Sequence, residues 1–169
     1  MYKNKNNILN AKIGIAGCGS MGMPMLKNII KNNINASGYD IRDKKYFLEL
    51  KNNFIIFKKI FLNKNKIILS IVRDIKQTEE LCKGENGIFN TKSKKVLLIC
   101  STLSPIYLKE LKDYSPKNIT LIDAPISGAP IKAKNASLTF MVGSKRKEFS
   151  FLKPLLSLMG RNILYIGKY

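Results

Sequence analysis

Acidic residues are scarce in this sequence. Eleven Asp and Glu stand against 30 Lys and Arg, a formal charge of +19 over 169 residues. Such an excess first suggests a nucleic-acid partner. A second scarcity argues the other way, because arginine occurs only at 42, 73, 146 and 161. Readers of bases and phosphates favour the rigid Arg fork over the point charge of Lys. The lysines are also spread along the whole chain among many Asn and Ile, the bias an A/T-rich genome imposes on a tolerant surface. Nucleic acid is therefore not the expected partner, although the charge favours the approach of a small anion. Cysteine is sparse too. Cys18, Cys82 and Cys100 are odd in number and lack framework spacing, so disulfides are not expected and a reducing cytoplasm is. Tryptophan is absent, and no apolar run reaches membrane-spanning length. Ile15-Ala16-Gly17-Cys18, behind Lys3 and Lys5, has the look of a lipoprotein cleavage box, but Asn10 and Lys12 interrupt the apolar region it requires.

An apolar content of 45% over this length suffices for one soluble domain with a core. The most informative stretch is Ile13 to Ala16, an apolar run that breaks into Gly17-Cys18-Gly19-Ser20-Met21-Gly22. Met25, Leu26, Ile29 and Ile30 then follow at helical spacing. Strand, glycine turn and helix in this order form the G-x-G-x-x-G element that receives a dinucleotide pyrophosphate on a helix N-terminus. Asp40 lies 18 positions after Gly22, at the end of the next apolar segment. A carboxylate there can accept hydrogen bonds from an adenine ribose and repel a 2′-phosphate, which favours NAD over NADP. Arg42 stands two residues on and can answer a phosphate instead. The bland alternatives are a glycine turn without a ligand and an ordinary capping acid at Asp40.

Residues 1–10 are polar and expected to be a disordered tail. Lys44 to Lys51 has Tyr46, Phe47 and Leu50 at helical spacing, while Phe54 to Leu62 is ambiguous. Lys66 to Val72 and Val96 to Cys100 read as strands buried on both faces. A helix ends near Cys82. Another begins with Ser104 as N-cap and Pro105 at the first helical position. Thr120–Asp123 is a short strand followed by a long loop, then come a strand over 138–142, a helix over 148–159 and a strand over 162–166. Strands alternating with helices predict an α/β fold, a doubly wound, mostly parallel Rossmann-type sheet in a single domain. Ligands of such sheets sit beyond the carboxyl ends of the strands, which places the glycine turn, Asp40, the segment after Val72, Ser101–Pro105 and the loop after Asp123 on one rim.

Three elements occur in order: Gly17-x-Gly19-x-x-Gly22-Met23-Pro24-Met25, Cys100-Ser101-Thr102-Leu103-Ser104-Pro105 and Asp123-Ala124-Pro125-Ile126-Ser127-Gly128. In these the chain resembles the β-hydroxyacid dehydrogenases, which include 3-hydroxyisobutyrate dehydrogenase and, more distantly, 6-phosphogluconate dehydrogenase. The resemblance runs from residue 11 onward and implies an NAD(P)-binding domain over 11–169. It implies that Gly17, Gly19, Ser20, Met21, Gly22 and Met23 border the pyrophosphate, with Asp40 and Arg42 at the adenine ribose. Ile71 and Val72 would line the cofactor cleft, and Thr102 would lie by the nicotinamide. Ser127 would position the substrate, with Gly128 and Ala129 completing a site for its carboxylate. Taken alone, Ser127-Gly128 are turn residues.

Departures from the family pattern are Ile99 in place of an acid, Ala129 and Ala136 in place of glycines, and Arg73 in place of proline. The family's catalytic lysine lies on an all-helical second domain beyond the position of Tyr169, and Lys168 is too early to match it. Two expectations follow. The chain is the cofactor half of an NAD(P)-dependent 3-hydroxyacid dehydrogenase acting on a small carboxylate-bearing hydroxy acid, completed by a helical catalytic chain or a longer protein. The alternative is a non-catalytic or vestigial stand-alone dinucleotide-binding module. Either way, apolar surface and self-association are expected near the C-terminus.

Overall fold

The computed structural model of this chain describes residues 8–168. Its short β-branched and aliphatic runs become five parallel strands, β1 (Ile13–Ala16), β2 (Ala36–Tyr39), β3 (Ile67–Ser70), β4 (Lys95–Ile99) and β5 (Ile119–Asp123), in the order β2-β1-β3-β4-β5. Phe54 adds an isolated parallel bridge to Gly38 outside β2. Counted as a third strand in sequence, that bridge completes the 3-2-1-4-5-6 order of dinucleotide-binding sheets. The direction of winding reverses between β1 and β3, which opens a crevice there.

Helices cover both faces. α1 (Gly22–Lys31) buries Met25, Leu26 and Ile29 against Ile13, Ile15, Leu69 and Leu98. On the opposite face α2 (Lys58–Lys64), α3 (Ile75–Cys82) and α4 (Pro105–Tyr114) bury Phe61, Leu81 and Leu108 against Ile68, Leu97 and Ile99. Neighbouring strand residues such as Ile68 and Leu69 thus enter different cores, which is why the strands are apolar without alternation.

Beyond β5 come β6 (Ile126–Ser127), α5 (Pro130–Lys134) and β7 (Leu138–Gly143), the last antiparallel to β5 and β6. α6 (Arg146–Leu156) then leads to β8 (Gly160–Gly167), parallel to β7. Ile163 and Tyr165 pack on the first core, while Leu164 and Ile166 of the same strand are exposed. Among the described residues no helix is long and apolar enough to cross a membrane.

Several expectations need correction. The disordered tail expected over 1–10 does not hold at Ile8–Asn10: Ile8 is fully buried and accepts a hydrogen bond from the Ala11 N–H at 3.0 Å. Its part over residues 1–7 lies outside the described residues. The helix expected from Lys44 is a kinked 3-10 winding over Lys44–Asn53, broken at Phe47 and Lys51, and Phe47 stacks on Phe54 at 4.4 Å. The ambiguous stretch divides into the Phe54 bridge and α2. Ser104 stands at the N-cap of α4, yet its hydroxyl makes no capping bond. The loop after Asp123 contains β6 and α5, too short to announce themselves by periodicity.

Ala136 occupies the left-handed region at φ 52°. A Cβ is strained there by about 1 kcal/mol. Ala136→Gly should therefore raise stability by about 0.5–1 kcal/mol in urea denaturation, against the usual sign for a glycine substitution.

Candidate functional site

The carboxyl ends of the parallel strands enclose a cleft of about 1090 Å³. Gly17, Gly19, Ser20, Met21, Gly22, Asp40, Arg42, Ile71, Val72, Thr102 and Gly128 line it. Segments up to 111 residues apart in sequence thus meet along one rim. Three expected site residues do not line the cleft. Met23, in the first turn of α1, is half-buried and packs against the edge of the first core. Ser127 is exposed on β6, and Ala129 is exposed at the N-cap of α5.

The three glycines of the turn do different work. Gly17 has φ 92°, and a Cβ on it would stand 2.5 Å from the Ile71 carbonyl oxygen. At Gly22 a Cβ would lie 1.9 Å from the Gly17 oxygen. Both positions are glycine because the chain passes backbone against backbone. Gly19 differs: its added Cβ would meet only Arg42 Nη2, at 4.0 Å, and its φ is unstrained. Nothing within the protein requires glycine at 19. The space it leaves belongs to the cleft, beside the start of α1, whose N-cap Met21 supplies no side-chain bond. An uncapped helix N-terminus with free space before it suits an anion.

Asp40 closes the adjoining end. Its Oδ2 accepts the Cys18 N–H at 2.8 Å and Arg42 Nη2 at 3.1 Å, and its Oδ1 accepts the Arg42 backbone N–H at 3.0 Å and Nε at 2.9 Å. Burial alone would push this carboxyl up, but the Arg42 side chain and backbone, with the Cys18 N–H, hold it below the usual carboxylate range. Cys18 itself is buried, and burial together with the Asp40 charge pushes its thiol up to about 12. It is a packing residue with no thiolate character at neutral pH.

Several further lining groups are given no role by the sequence, although Ser101 and Arg73 fall in segments expected on the rim. Ser101 donates to the Val72 carbonyl and ties the turn after β4 to the end of β3. Lys58 pairs with Glu80 at 2.6 Å where both border the cleft. Arg73 and Lys76 line it with no ion pair among the described residues. Arg73 stood out only as a departure from the family pattern, and its position beside α3 depends on the crossover. No group of three or more His, Cys, Asp or Glu among the described residues could hold a metal ion.

Asp123 ends β5 outside the cleft lining, half-buried, with Oδ1 lacking a hydrogen-bond partner among the described residues. Burial raises it to about 6.

The sequence profile of the NAD binding domain of 6-phosphogluconate dehydrogenase matches residues 12–167. The mitochondrial 3-hydroxyisobutyrate dehydrogenase of Rattus norvegicus is 35% identical over 159 residues, which are 92% of this chain and 48% of that protein. The solved 3-hydroxyisobutyrate dehydrogenase of Mycobacterium tuberculosis with L-serine superposes with a TM-score of 0.82 at 19% identity, covering 94% of this chain and 55% of that one. An imine reductase variant from Myxococcus stipitatus in complex with NAD+ gives 0.84 at 15%, over 94% and 55%. The last two show likeness of fold. The chain spans about half the length of the relatives it matches.

Two outcomes follow from this geometry. Gly22→Ala should cost about 3 kcal/mol or more, because backbone must move, whereas Gly19→Ala should change stability by less than about 0.5 kcal/mol in the same denaturant titration. Asp123 binds its proton more tightly folded than unfolded, so its contribution to stability falls as pH rises from about 4 through about 6. Asp123→Asn should match the native chain near pH 4 and exceed it at pH 7, read from urea midpoints at both values.

Proposed function

The chain belongs to the family of the NAD binding domain of 6-phosphogluconate dehydrogenase, and from that premise we propose that its cleft binds NAD(P) for an oxidoreductase of the 3-hydroxyacid dehydrogenase type. The observation that carries the proposal is Gly19, a glycine with no reason in the fold and open cleft where its side chain would be. A pyrophosphate passing over it would meet the N-terminus of α1, while Asp40 stands where an adenine ribose would lie. The acid supports a preference for NAD. The bound dinucleotide supplies or accepts a hydride. The residues of this chain bind and orient it: Ile71 and Val72 form one wall, and Thr102 lies on the far rim.

The substrate of this reading is a small hydroxy acid with a carboxylate. Gly128 reaches the cleft, and Ser127 and Ala129 flank it from the exposed side of β6 and α5. A hydroxyl and backbone donors in this position suit an anion held against the cofactor's reactive end. Hydride transfer also requires a proton donor or acceptor. On this reading that group is a lysine of the half of the relatives that this chain does not span, in a longer protein or a separate helical chain. The exposed Leu164 and Ile166 offer apolar surface for such a contact or for self-association. The three cysteines are all free and buried, which suits a reducing cytoplasm.

Titration with NADH and with NADPH, followed by nicotinamide fluorescence at two salt concentrations, tests the proposal. The absence of Trp keeps the protein background low. Saturable NADH binding is expected, weakened more than about tenfold in Gly19→Val through lost charge-assisted hydrogen bonds, with the unfolding midpoint preserved. Failure to bind either dinucleotide would remove the cofactor role and the dehydrogenase role with it.

A further inference from the structure

The ribose end of the cleft holds an interaction that dinucleotide binding does not require. The Asp40 side chain is only 8% exposed, and each of its oxygens is already engaged twice. A carboxylate offers about four lone-pair sites, so this one has none left for a ligand. A ribose diol needs one site on each oxygen. Two of the present donors, the N–H groups of Cys18 and Arg42, belong to the backbone. They are fixed by the turn after β1 and the end of β2. The other two, Nε and Nη2, belong to one guanidinium on a side chain that is 49% exposed. Those two sites, one on each oxygen, are the ones a diol would use.

Arg42 is held in this pose from other directions as well. Nη2 donates to the Cys18 carbonyl at 3.1 Å, and the guanidinium carbon stands 4.9 Å from the Phe47 ring centroid. The same Nη2 is the nearest atom to the open space at Gly19. The guanidinium therefore lies between the ribose acid and the phosphate turn, where a dinucleotide would pass.

We propose that Arg42 is a latch on the adenine-ribose subsite, occupying Asp40 until a cofactor enters and allowing the cleft to take NADP as well as NAD. The inference rests on the dinucleotide reading above. With NAD, the ribose hydroxyls displace the guanidinium from both oxygens, and the ion pair is lost. With NADP, the guanidinium exchanges the carboxylate for the 2′-phosphate and keeps a bidentate partner. The exchange handicaps NAD and offsets the repulsion between Asp40 and the extra phosphate. Asp40 alone would make the cleft strongly selective for NAD; Arg42 narrows that preference.

The competing account is that Arg42 only braces the end of β2. It predicts that removing the side chain lowers stability and weakens both cofactors alike. The native chain, Arg42→Ala and Arg42→Lys are therefore titrated with NADH and NADPH, with an unfolding midpoint for each. The native chain should prefer NADH by less than about tenfold. Arg42→Ala should bind NADH about fivefold tighter and NADPH at least about tenfold weaker, the size of gaining or losing one charge-assisted bond. Arg42→Lys keeps the charge without the fork and should hold NADPH within about threefold of native, as expected for a point charge on phosphate. If Arg42→Ala does not fold, Arg42→Gln reads the same ratio. NADH binding that weakens, or a NADH-to-NADPH ratio that stays put in folded variants, overturns the latch while leaving dinucleotide binding intact. Native protein that binds neither cofactor removes the dinucleotide reading and the latch together.

Discussion

The approach of α1 to the end of β1 is the contact on which the site depends. Gly22 and Gly17 meet so closely that a methyl group on Gly22 would fall 1.9 Å from the Gly17 oxygen, and Gly17 in turn lies against the backbone of Ile71. Three chain segments are thereby locked with no side chain between them. Hydrogen bonds extend the lock: the Gly17 N–H donates to the Tyr39 carbonyl at 2.8 Å, and the Ile71 N–H donates to the Ala16 carbonyl at 2.7 Å. The N-terminus of α1, the acid after β2 and the segment after β3 therefore share one rigid frame. Only then can Gly19, unconstrained by its neighbours, leave usable space.

The two ends of the sheet are finished in opposite ways. At the start of the strands a buried polar set is satisfied within the protein. Asn65 Nδ2 donates to the Ser37 hydroxyl at 2.8 Å, and the buried Lys95 ammonium donates to the Asn65 carbonyl at 2.8 Å. Burial, with Lys66 nearby, lowers the Lys95 pKa, so this end holds its charge at some expense to the ammonium form. At the carboxyl ends the donors at the start of α1 lack a side-chain cap, and Arg73 and Lys76 border the cleft without ion pairs among the described residues. A helix start without a side-chain cap and these two unpaired cations at one end, and a buried hydrogen-bonded set at the other, separate binding from stability along the strand axis.

Much of this was legible in the sequence because it is local. The runs around Ile67 and Val96 read as strands from β-branched content, and the glycine turn with Asp40 reads from spacing alone. The parallel order then brings those segments to one rim. What escaped is set by contacts distant in the chain. The third strand shrinks to the Phe54 bridge because a kinked 3-10 winding stacks Phe47 on Phe54. Ile8 is buried by the sheet it precedes, which no property of a polar tail announces. Met23 packs half-buried against the core and Ser127 faces outward because helix phase and the β6 pairing decide their direction, and spacing says nothing about either. The pairing of Arg42 with Asp40 is close in sequence yet was equally hidden. It depends on the side chain of Arg42 folding back onto Asp40 and onto the Cys18 carbonyl, 24 residues away, a contact the fold alone creates.

The charge of the whole chain bears on that last point. A field from 30 cations among 11 acids draws in any anion, whether NAD, NADP or a free phosphate. Mobile ions screen it over about 8–10 Å at ordinary salt, so it raises encounter rates and cannot distinguish one dinucleotide from another. Distinction has to come from groups within hydrogen-bond reach of the one place where the cofactors differ. On the proposed reading those groups are Asp40 and Arg42, one suited to a bare diol and the other to a phosphate, and each is now neutralised by its neighbour. Selectivity in such an arrangement is the small difference between two exchange reactions of a single guanidinium. That leaves it open to change by one substitution at Arg42, while the glycine frame and the sheet beneath it stay as they are.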